Sequence, residues 1–230
     1  DISPFATHLT TINLATRDLI EAENYPQVAR SNFFDVERTR PLRQLPMPRA
    51  GRVGAKAHGK GQIRNVWIPA LDAVVGNPPY IRQEQITRSR KVHERGLERG
   101  TKDDYLDLVK REAGAQLSGR SDIHCFFWPH AASFLKPHGA IGLITSSQWL
   151  DVEYGFRLQE WLLENFEIIA IFESVDEPWF VGARVATAVT ILRRQMDEPA
   201  RMANVVRFVQ LRKPIRDILA HDGTTIGAVR

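Results

Sequence analysis

The chain has 230 residues, a net charge of +4, and a composition that is 43% hydrophobic and 25% charged, ordinary for a soluble globular protein and ample for a sizeable core. No apolar stretch approaches the roughly 20 residues needed to span a bilayer, and no secretory leader is visible. The single cysteine, Cys125, excludes an intramolecular disulfide and a cysteine metal cluster, so the expectation is a cytoplasmic protein with no metal site and no membrane partner.

The chain opens on "DISPFATHLTTINLAT". Ser3 is a plausible N-cap, Pro4 suits the first helical position, and Phe5, Leu9 and Ile12 recur at helical spacing. A helix is therefore predicted directly after Asp1, which would end a strand lying upstream. "QVARSNFF" is a short strand candidate leading into a polar turn. Residues 37–66 carry Arg38, Arg40, Arg43, Arg49, Arg52, Lys56, Lys60 and Arg64 against the single acid Glu37. This stretch, rich in Pro and Gly, is predicted as an irregular basic insertion attractive to phosphate. A solvated basic loop with no partner is the plainer alternative.

"LDAVVG" is a short apolar run bounded by turn signals, predicted as a fully buried strand. Residues 81–120 are highly charged and predicted as part helix, part loop, a second basic insertion. "SDIHCFFWPHAASFLKPHG" is predicted as a helix capped by Ser121 or Asp122, split or kinked at Pro129 and ended by Gly139. "AIGLITSS", "EIIAIFE" and "VATAVTILRR" are predicted strands. "YGFRLQEWLLENF" is predicted as an amphipathic helix burying Phe156, Trp161, Leu162 and Phe166, with Leu158 and Leu163 widening the face. "VVRFVQL" begins something new. Strands alternating with helices predict an α/β sheet with helices on both faces. Ligands of such sheets bind beyond the carboxyl ends of the strands, where Asp1, Asn32, Asn77 and Ser146 would line one edge.

Asn77-Pro78-Pro79-Tyr80 follows "LDAVVG" directly. Two prolines fix φ and remove two N–H donors, leaving a stiff turn rich in acceptors. The Asn77 side-chain oxygen and the Pro78 carbonyl can aim at one NH₂ group, with the flat face of Tyr80 beside them. Holding both hydrogens of a conjugated amine draws its nitrogen toward tetrahedral geometry and frees its lone pair for a methyl carried on a sulfonium. An aromatic face stabilises the positive charge that develops, and acceptors fixed in advance need no reorganisation. A simple proline turn is the bland reading.

"LDAVVGNPPYIRQE" resembles motif IV of the class I S-adenosylmethionine-dependent adenine-N6 DNA methyltransferases, above all the large bacterial enzymes of type IIG restriction–modification and BREX-type phage defence. "DISPFATHLTTINLA" resembles their motif II, "RSNFF" stands in the place of motif III, "FLKPHGAIGLITSSQWLDVEYGFRLQEWLLENFEIIAIFE" resembles motifs V to VII, and "EPWFVGARVATAVTILRR" resembles motif VIII. The resemblance covers residues 1–194 in the gamma order. It implies a Rossmann-like α/β sheet, mostly parallel with the last strand antiparallel and the first strand absent. It also implies a catalytic domain over 1–196, with insertions about 37–66 and 81–120, and a linker and truncated target-recognition domain over 197–230.

The roles implied are methyl transfer from S-adenosylmethionine to N6 of an adenine flipped out of double-stranded DNA. Asp1 matches the residue that binds the cofactor ribose. Asn32, where many relatives have Asp, matches the contact to the cofactor adenine amine, with Phe33 beside it. Asn77 and Pro78 match the acceptors of the target amine, in the stiff turn that Pro79 completes, and Tyr80 matches the aromatic that stacks on the flipped base. Phe180, preferred over its neighbour Trp179, matches the aromatic that meets the base from another side. Trp149 and Trp161 read as core. The Gly-rich motif I is missing, and "GRVGAKAHGKG" follows no strand and opens no helix. The chain by itself is therefore expected to lack part of its cofactor site. A fused or partner endonuclease, or other defence subunits, are the candidate protein partners.

Two other readings stay open. A protein glutamine-N5 methyltransferase uses a similar turn on a planar amide, with an RNA guanine-N2 methyltransferase as a related outsider. A non-catalytic DNA-binding remnant is the reading of a different class. If the basic stretches neutralise DNA phosphates, DNA affinity falls steeply, log-linearly with added salt. A flat salt response in a fluorescence-anisotropy titration would count against that role.

Overall fold

The computed structural model describes residues 1–15, 28–46, 63–86, 100–175, 178–180 and 186–219. They belong to two compact units. One comprises Asp1–Ala70 with Lys91–Gly100, the other Leu71–Arg90 with Thr101–Arg230.

In the first unit, α1 (Pro4–Ala15) begins as predicted. The Ser3 hydroxyl oxygen accepts from the Ala6 N–H at 3.4 Å, and the Ser3 carbonyl takes the Thr7 N–H at 3.1 Å. Leu19 and Ile20, the expected continuation of this helix, lie outside the described residues. The predicted strand "QVARSNFF" is corrected: residues 33–35 form a turn of 3₁₀-helix, and 28–30 have no regular assignment. Yet the backbone of 29–31 is tied to Asp1. The Asp1 amine donates to the Ala29 carbonyl at 3.3 Å, and the Ser31 N–H donates to the Asp1 carbonyl at 3.0 Å. Two bonds that flank one residue and diverge to positions two apart have the slant of a parallel pair. Within the expected irregular insertion, β1 (Arg43–Pro46) and β2 (Ile63–Val66) form an antiparallel ribbon, Arg43 facing Val66 and Pro46 facing Ile63. Its basic centre, residues 47–62, lies outside the described residues.

The second unit is built on a five-stranded mixed sheet. Its strands are β3 (Leu71–Gly76), β4 (Leu135–Ser146), β5 (Phe166–Ser174), β6 (Thr187–Arg194) and β7 (Arg207–Leu211), in the spatial order β3-β4-β6-β5-β7. β3 runs parallel to β4, and β7 parallel to β5. β6 is antiparallel to both its neighbours. The antiparallel strand is thus next to last among the described strands, and "VVRFVQL" does not begin something new but closes one edge of the same described sheet.

Side chains alternate along β4: Ile141, Leu143 and Thr145 are buried, while Ala140, Gly142 and Ile144 are half-buried. The same holds on β6, where Ala188, Thr190 and Leu192 are buried. This period of two gives the sheet one fully covered face. Three helices make up the covering side: α3 (Ile123–Ala132) packs on β4, α4 (Phe156–Asn165) on β5, and α2 (Lys102–Ala113) on α3. Trp128, Phe126, Trp149, Leu158 and Leu162 fill this core, and Trp161 donates its indole N–H to the Ala113 carbonyl at 2.9 Å. Trp149 and Trp161 are core residues, as read from the sequence.

Several expectations need correcting. "LDAVVG" is not a fully buried strand. β3 is an edge of the described sheet and Val75 is 80% exposed. The helix begun at Asp122 ends at Ala132 rather than Gly139, and is not split at Pro129. "LKPHG" is already strand, because β4 starts at Leu135. On α4 the buried face is Leu158, Trp161 and Leu162, while Phe156 and Leu163 are exposed and Phe166 opens β5. The helix expected within the charged 81–120 segment is α2, which has a complete Thr101–Asp104 capping box and buries Tyr105, Leu108 and Val109. Among the described residues no helix is long and apolar enough to cross a membrane.

His124 sits fully inside this core, and burial drives its pKa from 6.5 down to about 4, against a weaker upward pull from Asp122. Between those two values the unfolded chain binds a proton that the folded chain refuses, so this group's contribution to stability is lost as pH falls through that window. Urea unfolding is expected to show a stability loss approaching about 3 kcal/mol from this group alone. The pH dependence between about 6.5 and 4 should be correspondingly shallower in His124→Gln.

Candidate active site

The Asn77-Pro78-Pro79-Tyr80 turn leaves β3 at its carboxyl end, where Gly76 stands opposite Leu143 of the parallel β4. A Cβ on Gly76 would be in ordinary contact, 3.4 Å from Leu143, so this glycine ends the strand without a special steric demand. Pro78 is buried, Tyr80 half-buried, and Asn77 and Pro79 exposed. The Tyr80 hydroxyl donates to Asn77 Oδ1 at 2.9 Å and lies 3.4 Å from the Ile144 carbonyl of β4. Burial pushes the Tyr80 phenol pKa upward, so it remains a donor. The ring of Phe180 meets that of Tyr80 edge-on, with centroids 5.9 Å apart and planes at 64°. Asn77, Tyr80 and Phe180, chosen from segments a hundred residues apart in sequence, therefore share one site at the end of β3.

The segment after the turn is held just as firmly. The Ile123 N–H of α3 donates to the Ile81 carbonyl at 3.1 Å. The Gln83 N–H donates to Asp122 Oδ1 at 2.8 Å, and the Tyr154 hydroxyl donates to Asp122 Oδ2 at 3.0 Å. Lys102 donates to the Gln83 side chain at 3.3 Å. Lys102, in the second basic stretch, is only 2% exposed, which removes it from the cations that could face phosphate. A groove of about 370 Å³ opens beside this segment, its lining including Arg82, Gln83, Asp122, Gln148 and Tyr154. Ser146, at the end of β4, spends its hydroxyl on the Gln148 N–H at 3.3 Å as the cap of a 3₁₀ turn. Asp122 was read from the sequence only as a helix cap. The signal for more, a carboxylate far along the chain from the turn, has no sequence periodicity to betray it.

The residues read as cofactor contacts lie in the other unit. Asp1 and the 29–31 segment are joined by the backbone pair described above. Asp1 Oδ1 accepts the Ser3 N–H at 2.8 Å, which leaves the second carboxylate oxygen for a hydroxyl. Asn32 is buried and caps the following 3₁₀ turn, its Oδ1 accepting from the Phe34 N–H at 3.3 Å. That oxygen has a second lone pair. Phe34 is the core aromatic, and Phe33, its ring centroid 6.0 Å away, is half-buried. A carboxylate, an amide and an aromatic edge on two paired segments are a donor set that fits a nucleoside. Among the described residues no three His, Cys, Asp or Glu side chains cluster to hold a metal.

The sequence model of the family described as Eco57I restriction-modification methylase matches residues 1–180. The chain is 29% identical over 144 residues to the type II methyltransferase M.BanIII of Aneurinibacillus aneurinilyticus, covering 63% of this chain and 22% of that protein. It is 28% identical over 111 residues to the adenine-specific methyltransferase BrxX of Escherichia coli O9:H4 (strain HS), covering 47% of this chain and 8% of that protein. It thus spans about a quarter or less of these relatives' length. Among solved structures, a chain of a type I restriction–modification system superimposes with a TM-score of 0.53 at 14% identity, over 94% of this chain and 33% of that one. At that identity the likeness shows a shared α/β fold.

Gly155 closes the loop that brings Tyr154 to Asp122. Its φ of −73° suits any residue, but a Cβ there would run into the Trp149 carbonyl, so the close approach and not the conformation requires glycine. Gly155→Ala is expected to cost about 1–3 kcal/mol, as overpacking against an immovable backbone does. The urea midpoint should fall with an unchanged slope.

Proposed function

This chain belongs to the Eco57I restriction-modification methylase family, and we propose that the full-length protein transfers a methyl group from S-adenosylmethionine to N6 of an adenine flipped out of double-stranded DNA. The observation that carries this reading is the Asn77–Tyr80–Phe180 arrangement at the end of β3: an amide acceptor on a proline-stiffened turn, bonded to a tyrosine whose ring is in contact with that of Phe180.

S-Adenosylmethionine, when bound, supplies an electrophilic methyl carbon on a sulfonium. Asp1 is suited to its ribose hydroxyls, and Asn32 and Phe33 to its adenine. The remaining work falls to the turn. Asn77 Oδ1 and the Pro78 carbonyl accept the two hydrogens of the target amine and aim its lone pair. Asn77 Oδ1 already accepts from Tyr80, but a carbonyl oxygen has two lone pairs, so the amine joins that bond or replaces it. As the nitrogen takes the methyl it becomes positive, and the Tyr80 ring stabilises it. No strong base is required until the extra proton leaves afterwards.

The ring geometry restricts how a base can lie. Centroids 5.9 Å apart at 64° are in direct edge-to-face contact, so no planar base fits between them. A base stacks on one ring and meets the other at its edge. Taking the base out of the duplex is unavoidable for chemistry at its amine, and DNA is the partner that a restriction–modification methylase would engage. An endonuclease, fused or separate, and other defence subunits are the protein partners this role implies.

The test is tritiated methyl transfer from S-adenosylmethionine to plasmid DNA from a methylation-deficient host, with nucleoside analysis of the product. Label is expected in N6-methyladenine, and Asn77→Ala is expected to lower the rate by about a hundredfold or more, as loss of a preorganised acceptor does. Label in a glutamine peptide but not in DNA would replace the substrate. No label in either would leave only DNA binding.

A further inference from the structure

We propose that Asp122 is a positioning residue of the methyl-transfer site, holding the Asn77–Tyr80 turn in register through the segment that follows it; the proposal rests on the function given above. Asp122 occupies the N-cap of α3, with φ −69° and ψ 160°. An Asp there ordinarily spends its carboxylate on the free N–H groups of its own helix. This one makes no side-chain cap bond. Both its oxygens go elsewhere, Oδ1 to the Gln83 N–H and Oδ2 to the Tyr154 hydroxyl.

The diversion has a physical reason. Pro78 and Pro79 have no N–H, so the turn has lost two of its four backbone donors and must be anchored largely from neighbouring segments. Gln83 carries an anchoring N–H three residues past Tyr80, and its partner is a carboxylate that is only 7% exposed. A charge-assisted bond to a buried carboxylate is roughly twice as strong as a neutral one. The neighbouring Ile81 carbonyl is fixed by the Ile123 N–H of the same helix end, and the Gln83 side chain by Lys102. The post-turn segment is thus clamped between the starts of α2 and α3. Tyr154, bonded to the other oxygen, ties the loop after β4 to the same carboxylate, and burial together with the nearby Asp122 charge pushes its phenol pKa upward. Asp122 itself does not approach Asn77 or Tyr80 among the bonds of the structure; it acts through Gln83.

The full-length protein carrying Asp122→Ala and Asp122→Asn separates this role from plain stability. With Asp122→Ala, kcat for methyl transfer to plasmid DNA is expected to fall about a hundredfold, the size of effect that a misplacement of about 1 Å produces. KM for S-adenosylmethionine should stay within about threefold, because the residues proposed to hold it are elsewhere. Amide hydrogen exchange should quicken at Gln83 and across 80–84 while α3 and β4 stay protected. Asp122→Asn keeps an acceptor of the same shape without the charge, so a kcat loss of only about threefold to tenfold is expected.

Unchanged kcat and unchanged exchange at Gln83 in Asp122→Ala overturn the proposal. So does a uniform loss, in which melting temperature, KM, kcat and exchange everywhere decline together in both variants. If Asp122→Ala does not fold, Asp122→Asn decides alone: faster exchange confined to 80–84 supports the role, and none overturns it. If the wild-type protein methylates no DNA, it is the function that fails. Asp122 is then judged by the exchange at Gln83, where protection unaltered by the substitution removes the claim.

Discussion

Two consecutive prolines make the turn after β3 stiff but also hard to hold, because a backbone without N–H groups cannot be stitched into a sheet or helix. What fixes Asn77 in space must therefore come from side chains and neighbouring elements more than from the turn's own backbone donors. The structure supplies it on three sides. Before the turn, β3 is paired with β4 up to Gly76. Within it, the Tyr80 hydroxyl reaches Asn77 and the Ile144 carbonyl of β4. After it, Ile81 and Gln83 are bound at the start of α3. Each anchor lies on an element of the covered core, so the packing of α3 on β4 is also what holds the site.

That packing depends on β6. A strand inserted antiparallel between β4 and β5 lets its buried residues, Ala188, Thr190 and Leu192, align with the buried rows of both neighbours. The same insertion starts β6 at the carboxyl end of β4, since Thr187 faces Ser146, and the 178–180 segment precedes β6 in the chain. An antiparallel neighbour starts where its partner stops. Phe180 meets Tyr80 although a hundred residues separate them.

Much of this was legible in the sequence, and the misses have common causes. The strands with strong apolar runs, β4 to β6, were readable because a buried strand leaves a near-continuous apolar string. The start of α1 was readable from Ser3 and Pro4, whose capping chemistry is local. The end of α3 was not, because Gly139 looked like a helix stop whereas pairing with β3 and β6 had already drawn Leu135 and Ala140 into a strand. Tertiary pairing overrode a local signal there. β3 was read as fully buried from composition alone, which cannot tell an edge from a centre. Of the candidate site, Asn77, Tyr80 and Phe180 were legible through motifs, while Asp122 was visible only as a cap, since its partners Gln83 and Tyr154 are set by packing.

The bond from Tyr80 to Asn77 sets the resting state of the turn. The phenol is half-buried and its pKa is raised, so it stays protonated and keeps donating at neutral pH. One lone pair of the Asn77 oxygen is thereby occupied, and the other remains on an exposed residue. A donor already in place orients the amide, choosing which of its two ends is the acceptor, and an amide turned the other way would present two hydrogens to the target amine of the proposed reaction and repel it. The tyrosine thus has two separable uses: its ring offers a face, and its hydroxyl fixes the orientation of the acceptor beside it. The stiffness of the prolines, the clamp at Gln83 and the hydroxyl of Tyr80 then act on one atom, Asn77 Oδ1, each removing a different freedom: of the backbone, of the loop and of the side-chain amide.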